Sequence, residues 1–461
     1  MVQVGSDGAP PLGVIDALGH DDIARMVVGH TAALPIGSVT AIQASWGRGK
    51  TDVLRRAFEN YASLAKTDAE GPLWLNPWRY GTPDLLTPLV KALVPRLSTS
   101  ERHSPRVRAI VRSLLKAANA TLFKSASVIV PVQGLVQRWE DIGDELIDEL
   151  LSTPTEDAAD PDPIAAMSDR FRELVASVLE ESAVPLAVCI DDIDRCLPAY
   201  QVAILESLHF LTSAGARCVF FVAIDPELVK EAASTHYGTR NFDTERYLDK
   251  LFDLRVQLPG LLSTDAANLA RALLERTSVA SGELFSHAIA EGLGVTTEQL
   301  VVVFTESLFL PSLRNPRFVD RLVTRLYLLA LARRALGEPH LDPTDLLPLV
   351  QWSALTLRFP TVRHLFQNLN TDPSEEGVSE WSGNLYGLQI ALATDRPYWE
   401  RVTPDNIWTE RIADARKSLA TIFTMIPDTP ELGNLLTSYG EPGEASAKLQ
   451  RADSILKRAG L

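Results

Sequence analysis

Two groups of residues in this sequence have the types and spacing to handle a nucleoside triphosphate. The first is Ala44-Ser45-Trp46-Gly47-Arg48-Gly49-Lys50-Thr51. Its glycines let backbone N–H groups curl around phosphate oxygens, Lys50 can neutralise the β and γ oxygens, and Thr51 offers a hydroxyl to Mg²⁺. The loop departs from the pattern GxxxxGK[ST] at its first position, where Ala44 stands for glycine. Alanine can make that bend provided its φ stays negative. A Gly-Lys-Thr triplet also arises by chance in a chain of this size, so the second group decides. Asp191 and Asp192 end an apolar run from Val184 to Ile190, and Asp225 ends another from Cys218 to Ile224. Asp191 is the candidate Mg²⁺ carboxylate, acting through a water, and Asp192 the candidate general base that orients the attacking water. Asp225 is placed to sense the γ-phosphate; a helix N-cap ahead of Pro226 is the structural alternative and is compatible with it.

Elements must bring these residues together. The run Val39-Thr40-Ala41-Ile42 reads as a strand leading into the glycine loop, and Asp52 to Leu64 as the helix after it. Leu73 to Leu75 reads as a short strand running into a turn at Pro77, and residues 83–97 as a helix. The runs 184–190 and 218–224 are apolar on both faces, as central parallel strands under two helical layers are. Helices are predicted over 198–212 and from Pro226 to Ser234, and a last strand at 254–258. This alternation indicates a parallel α/β sheet with right-handed crossovers. Ligands of such sheets collect at the carboxyl ends of the strands, so the glycine loop, Asp191-Asp192 and Asp225 should converge on one crevice. Ahead of the loop, residues 14–34 carry helical periodicity and predict a helix beside it.

At 461 residues the chain is long enough for several domains. Apolar and charged fractions of 46% and 22% are ordinary for a globular protein, and 44 Lys+Arg against 59 Asp+Glu give a net charge of −15. That balance argues against a surface built to wrap nucleic acid or lie on anionic lipid. Cys189, Cys196 and Cys218 have no metal-binding spacing and read as buried thiols of a reducing compartment. The N-terminus lacks a secretory pattern, and the uncharged stretch 125–137 is too short to span a bilayer, so a soluble cytoplasmic protein is expected.

The order of signals divides the chain into 1–97, the first part of the nucleotide-binding core; 98–183, a charged helical insertion; 184–262, the second part of the core; 263–345, a helical lid; and 346–461, a C-terminal helical domain. Within the insertion a basic block, Arg102 to Lys124, precedes an acidic one, Glu140 to Glu181. A solvated charged face explains both by default; a docking face is the alternative for the basic block. Beyond residue 263 helical periods recur at 266–276, 283–291, 297–307, 317–336 and 343–358. Residues 370–377 read as a loop, and 445–459 as a surface or tail helix.

Taken together, Trp46-Gly47-Arg48-Gly49-Lys50-Thr51, Asn76-Pro77-Trp78-Arg79-Tyr80, Ile190-Asp191-Asp192-Ile193-Asp194-Arg195-Cys196, the strand end at Asp225, Tyr247-Leu248-Asp249-Lys250-Leu251-Phe252 and Asn315-Pro316-Arg317 resemble the successive signatures of the KAP family of P-loop NTPases, over about Asp16 to Leu329. The resemblance implies an ATPase of the additional-strand class, in which the strand ending in the sensor residue separates the Walker A and Walker B strands. It also implies a helical lid from which Arg317 reaches the phosphates. Many members carry transmembrane helices between the two Walker motifs; here the insertion reads as soluble. Soluble prokaryotic relatives belong to mobile or defence gene clusters, so the resemblance implies antiviral defence.

ATP and Mg²⁺ are the expected cofactors, with a protein partner or self-assembly through the lid and C-terminal helices. Arg195, Arg317 and Arg321 are candidates for stabilising charge on the transferred phosphoryl group, an ion pair with Asp194 or another acid being the structural reading of Arg195. Trp78 and Lys250 read as packing and scaffold residues. The leading expectation is a Mg-dependent ATP-driven switch or motor. A nucleotide-gated scaffold that does not hydrolyse is the second, and a DNA-processing ATPase using the basic block the third.

Overall fold

The computed structural model describes residues 16–31, 34–64, 71–80, 84–97, 104–125, 163–179, 182–237, 243–278, 281–308, 313–360 and 442–461. The uncharged stretch beyond Ser125, much of the acidic block and the loop 370–377 lie outside them. The chain divides into two compact units, residues 1–259 and 260–461.

The first unit is built on five strands: β1 (Val39–Gln43), β2 (Leu73–Leu75), β3 (Leu186–Ile190), β4 (Cys218–Ile224) and β5 (Leu254–Gln257). All pair in parallel in the order β2-β3-β4-β1-β5. The strand ending at Asp225 thus lies between the glycine-loop strand and the Asp191 strand, the additional-strand arrangement. Every residue of β1, β2, β3 and β4 is buried, which explains their unbroken apolar sequences.

Alternate residues feed two cores. On one face Ile42, Trp74, Cys189, Phe221 and Ala223 pack under α1 (His20–Thr31) and α2 (Lys50–Ala62). On the other, Leu75, Val188, Ile190, Phe220 and Val222 pack under α3 (Leu86–Leu93), α4 (Pro105–Ser125), α5 (Pro163–Leu179) and α6 (Pro198–Ser213). The insertion is therefore more than a charged appendage. Val107, Ile110, Val111 and Leu114 of α4 and Phe171, Leu174 and Val175 of α5 are part of this core. Arg106 of the basic block pairs with Glu173 of the acidic one, and Arg170 reaches the Ser113 hydroxyl. After β4 come α7 (Pro226–Tyr237) and α8 (Thr244–Leu251), the latter capped by Asp243, which accepts from the Arg246 N–H at 3.0 Å.

The described residues of the second unit form the helices α9 (Ser263–Leu274), α10 (Phe285–Leu293), α11 (Thr297–Ser307), α12 (Pro316–Ala335), α13 (Pro343–Arg358) and α14 (Pro442–Arg458), with an isolated antiparallel bridge between Thr277 and Leu284. One apolar cluster joins all six. The last helix is a core element rather than a tail: Leu449, Ala452, Ile455 and Leu456 are buried, and Asp453 accepts a hydrogen bond from the Trp352 indole at 3.0 Å. Its polar residues concealed an apolar stripe at helical spacing. Among the described residues no single helix is long and apolar enough to cross a membrane.

Candidate functional site

Parallel strands end on one edge of the sheet, and the register aligns four of those ends. Leu75 pairs with Ile190, Ile190 with Val222, and Ile224 with Gln43. The next residues in the chain, Asn76, Asp191, Asp225 and Ala44, therefore line one crest.

Ala44 is buried, and its N–H donates to Ile224 O at 3.2 Å, tying the start of the loop to β4. Asp192 is the one non-glycine with positive φ among the described residues, so Ala44 makes its bend without that strain. Ser45 and Trp46 are exposed beyond it, and Gly47 and Gly49 take φ of 81° and 95°. The Arg48 N–H donates to Ser45 O at 3.4 Å, and Gly49 opens α2, its carbonyl accepting from Val53 N at 3.0 Å. Gly49 has a second constraint. A Cβ there would stand 2.4 Å from Cε1 of His20, whose ring lies against the loop. His20 Nδ1 is 2.7 Å from Asp52 Oδ2, Arg56 Nε is 3.0 Å from the same oxygen, and Arg56 also reaches Asp21 at 2.7 Å. This network docks α1 onto the first turns of α2.

Two side chains at the head of α2 face the carboxylates. The Thr51 hydroxyl donates to Asp191 Oδ1 at 3.3 Å. Lys50 Nζ donates to Ala44 O at 3.0 Å and lies 3.0 Å from Asp194 Oδ2. Burial pushes the Asp191 carboxyl up to about 6; repulsion from Asp192 and Asp194 adds to this, against hydrogen bonds from Thr51 and the Asp192 N–H. A buried carboxylate beside a hydroxyl, crowded by further negative charge, is an oxygen donor set that fits a hard divalent cation.

Asp192 turns the chain at φ 59°, ψ 26° into the helical turn Ile193–Arg195. Its Oδ1 is 2.9 Å from Arg195 Nε, and its Oδ2 accepts from Asn76 Nδ2 at 2.8 Å. Arg195 thus pairs with Asp192 rather than Asp194, and its guanidinium sits 5.4 Å from the centroid of the Trp78 ring. Trp78 is 53% exposed, which corrects its reading as a packing residue, whereas Trp74, four residues earlier in β2, is buried. Lys250 is exposed as well. Asp225 is buried and accepts from Glu227 N at 3.2 Å, so it does cap α7 while standing on the crest. In the second unit Asn315 caps α12 by accepting from Arg317 N at 3.0 Å, with Pro316 at the first helical position. Asn-Pro-Arg has a local structural reason, and Arg317 stands in the first turn of that helix.

Three residues of the site, Asn76, Asp194 and His20, escaped a functional reading from sequence. Asn76 and Asp194 stood only within family signatures, and His20 lay in a helix read by its periodicity alone. For Asp194 no linear signal was present, because the left-handed bend at Asp192 breaks any regular spacing from Asp191.

No curated protein matches this chain. Among solved structures, the Aeropyrum pernix ORC2 protein, in ADPNP-ADP complexes, is similar over 98% of this chain and 97% of its own, at 11% identity and a TM-score of 0.39. The family model described as KAP family P-loop domain matches residues 21–332, well over half of the chain. With its parallel additional-strand sheet, its glycine loop and its paired strand-end aspartates, the chain belongs to the KAP family of P-loop NTPases.

Proposed function

We propose that this protein is a Mg²⁺-dependent ATPase that works as a nucleotide-driven switch or motor. The observation that carries the reading is the approach of Thr51 Oγ1 to Asp191 Oδ1, 3.3 Å apart, beside the buried Lys50 ammonium. Residues 44–51 supply the backbone donors for the phosphates, and Lys50 the charge facing the β and γ oxygens. Thr51 and Asp191 would hold Mg²⁺, which would supply positive charge to offset the negative charge of the phosphate oxygens. Asp192 orients the attacking water and takes its proton, while Asn76 fixes the carboxylate plane. Asp225 reads the γ-phosphate from the neighbouring strand end, and Arg317 supplies positive charge to the transferred group. The helical second unit passes the nucleotide state to a protein partner or to further copies of the chain. A cytoplasmic place belongs to this proposal through the sequence reading, and a role in antiviral defence through the family resemblance alone.

Steady-state phosphate release with Mg-ATP tests it. Lys50→Ala is expected to abolish turnover, and Asp192→Asn to lower it by about 10²–10⁴-fold. Unchanged activity in both variants refutes the ATPase reading. A nucleotide-gated scaffold is the second reading, favoured by the engagement of both Asp192 oxygens by Arg195 and Asn76. Tight ATP binding with no turnover, even with partners supplied, would establish that reading instead.

A further inference from the structure

Lys50 is already neutralised. Its ammonium donates to the Ala44 carbonyl and, at 3.0 Å, faces the Asp194 carboxylate, and both charged side chains are shielded, 8% and 5% exposed. The position of Asp194 is fixed from two sides. Ile193 is fully buried below it, and the turn is closed by Arg195 N to Asp192 O at 3.2 Å and Cys196 N to Ile193 O at 3.0 Å. The bend that starts this turn is the left-handed Asp192. The backbone therefore aims Asp194 back at the phosphate loop.

A carboxylate bound to the lysine that a phosphate must reach is a competitor for that lysine. We propose that Asp194 acts as an internal phosphate mimic, occupying Lys50 when no nucleotide is bound and yielding it when the β-phosphate arrives. This rests on the nucleotide reading of the site and adds its regulation. The physical case is charge. Asp191, Asp192 and Asp194 crowd the end of β3 and the turn after it, and a polyphosphate adds further negative charge to a place with one buried lysine. Ligand binding therefore has to break one ion pair to make another. The release of the turn on Asp194 displacement carries Asp192 and Arg195 with it, because all three share one helical turn. Arrival of nucleotide at Lys50 is thereby coupled to the geometry of the general base and of Arg195.

Asp194→Asn keeps the shape of the side chain and removes the competing charge. Affinities for Mg-ATP, Mg-ADP, inorganic pyrophosphate and adenosine, measured by titration calorimetry on the full chain, test the idea. Asp194→Asn is expected to tighten ATP, ADP and pyrophosphate by about tenfold or more and to leave adenosine unchanged. In a Lys50→Ala background the same substitution should give no gain, since the two residues act as one unit. Loss of a partner for buried Lys50 should lower the melting temperature of the ligand-free variant, and Mg-ATP should raise it by more than in the wild type. Asp194→Ser, smaller and neutral, guards against a misfolded first variant and should behave alike. Equal or weaker phosphate binding in both variants, with wild-type binding intact, overturns the mimic and spares the nucleotide reading. Absence of ATP and pyrophosphate binding in the wild type and both variants overturns both.

Discussion

At the scale of the residue, the crest works by crowding. Asp191, Asp192 and Asp194 would repel one another if each lacked a distinct counterpart, and the structure gives them Thr51, Arg195 with Asn76, and Lys50. Asp192 does so at a positive φ, a conformation that aspartate tolerates better than most residues and that clusters at functional sites. Gly49 shows a stricter demand. Its φ of 95° and the 2.4 Å approach to His20 exclude a side chain for two separate reasons. Gly49→Ala is expected to cost about 2 kcal/mol or more in stability by urea titration, together with loss of ATP affinity. Adding His20→Ala should recover only part of the stability, the part due to the clash. Full recovery would show the backbone to be unstrained.

At the scale of the element, legibility followed the number of buried faces. β3 and β4 are buried on both sides and spell it out as continuous apolar runs, so their strand ends were readable to within a residue or two. The helix Thr244–Leu251 escaped because its eight residues are mostly polar on the outer side and its signal was a family signature. The insertion helices were misleading for a different reason: charges concentrated on their outer faces obscured the apolar spacing of Val107, Ile110 and Leu114. Convergence of the glycine loop with Asp191 followed from topology alone, whereas the pairings of Asp194 with Lys50 and of Arg195 with Asp192 depend on the local bend at Asp192 and had no linear signal. The docking of α1 on α2 carries a pH signature. Burial raises the Asp52 carboxyl, but hydrogen bonds from His20 and Arg56 and the charge of Arg56 outweigh it and hold it below its ordinary value. Asp16 is likewise held low, burial being outweighed by the N–H groups of Asp21 and His20. A carboxylate depressed by folding contributes stability above its unfolded pKa of about 3.9 and loses it as pH falls through the folded value. Melting temperature should therefore fall as the pH drops below that range, and Asp52→Asn should flatten the fall. An unchanged slope in the variant would remove this network from the acid response.

At the scale of the whole molecule, net charge and fold speak against nucleic acid as a ligand of the basic block. One side of the α4 helix is committed to the core, Arg106 is paired with Glu173, and the chain carries −15 overall. Fluorescence anisotropy with duplex DNA near physiological salt should show no binding that weakens with added salt; a steep salt dependence would reinstate the DNA-processing reading. The two units also divide the labour of legibility. The first announced its chemistry because a nucleotide-binding loop fixes residue types, while the second announced only helical periods, because helix packing constrains spacing far more than identity. The place of β1 between β4 and β5 has a further consequence, one of timing. Its neighbours β4 and β5 begin at Cys218 and Leu254, and its first residue is tied to Asp253 by two hydrogen bonds, Val39 N to Asp253 Oδ2 at 2.8 Å and Asp253 N to Val39 O at 2.9 Å. A ribosome adding about 5–20 residues per second makes the strand that carries the glycine loop wait roughly 10–40 s for both of its neighbours. The segment that carries the glycine loop is thus among the last in its unit to be set, and a nascent chain cannot complete the sheet around that loop until Gln257 has been made.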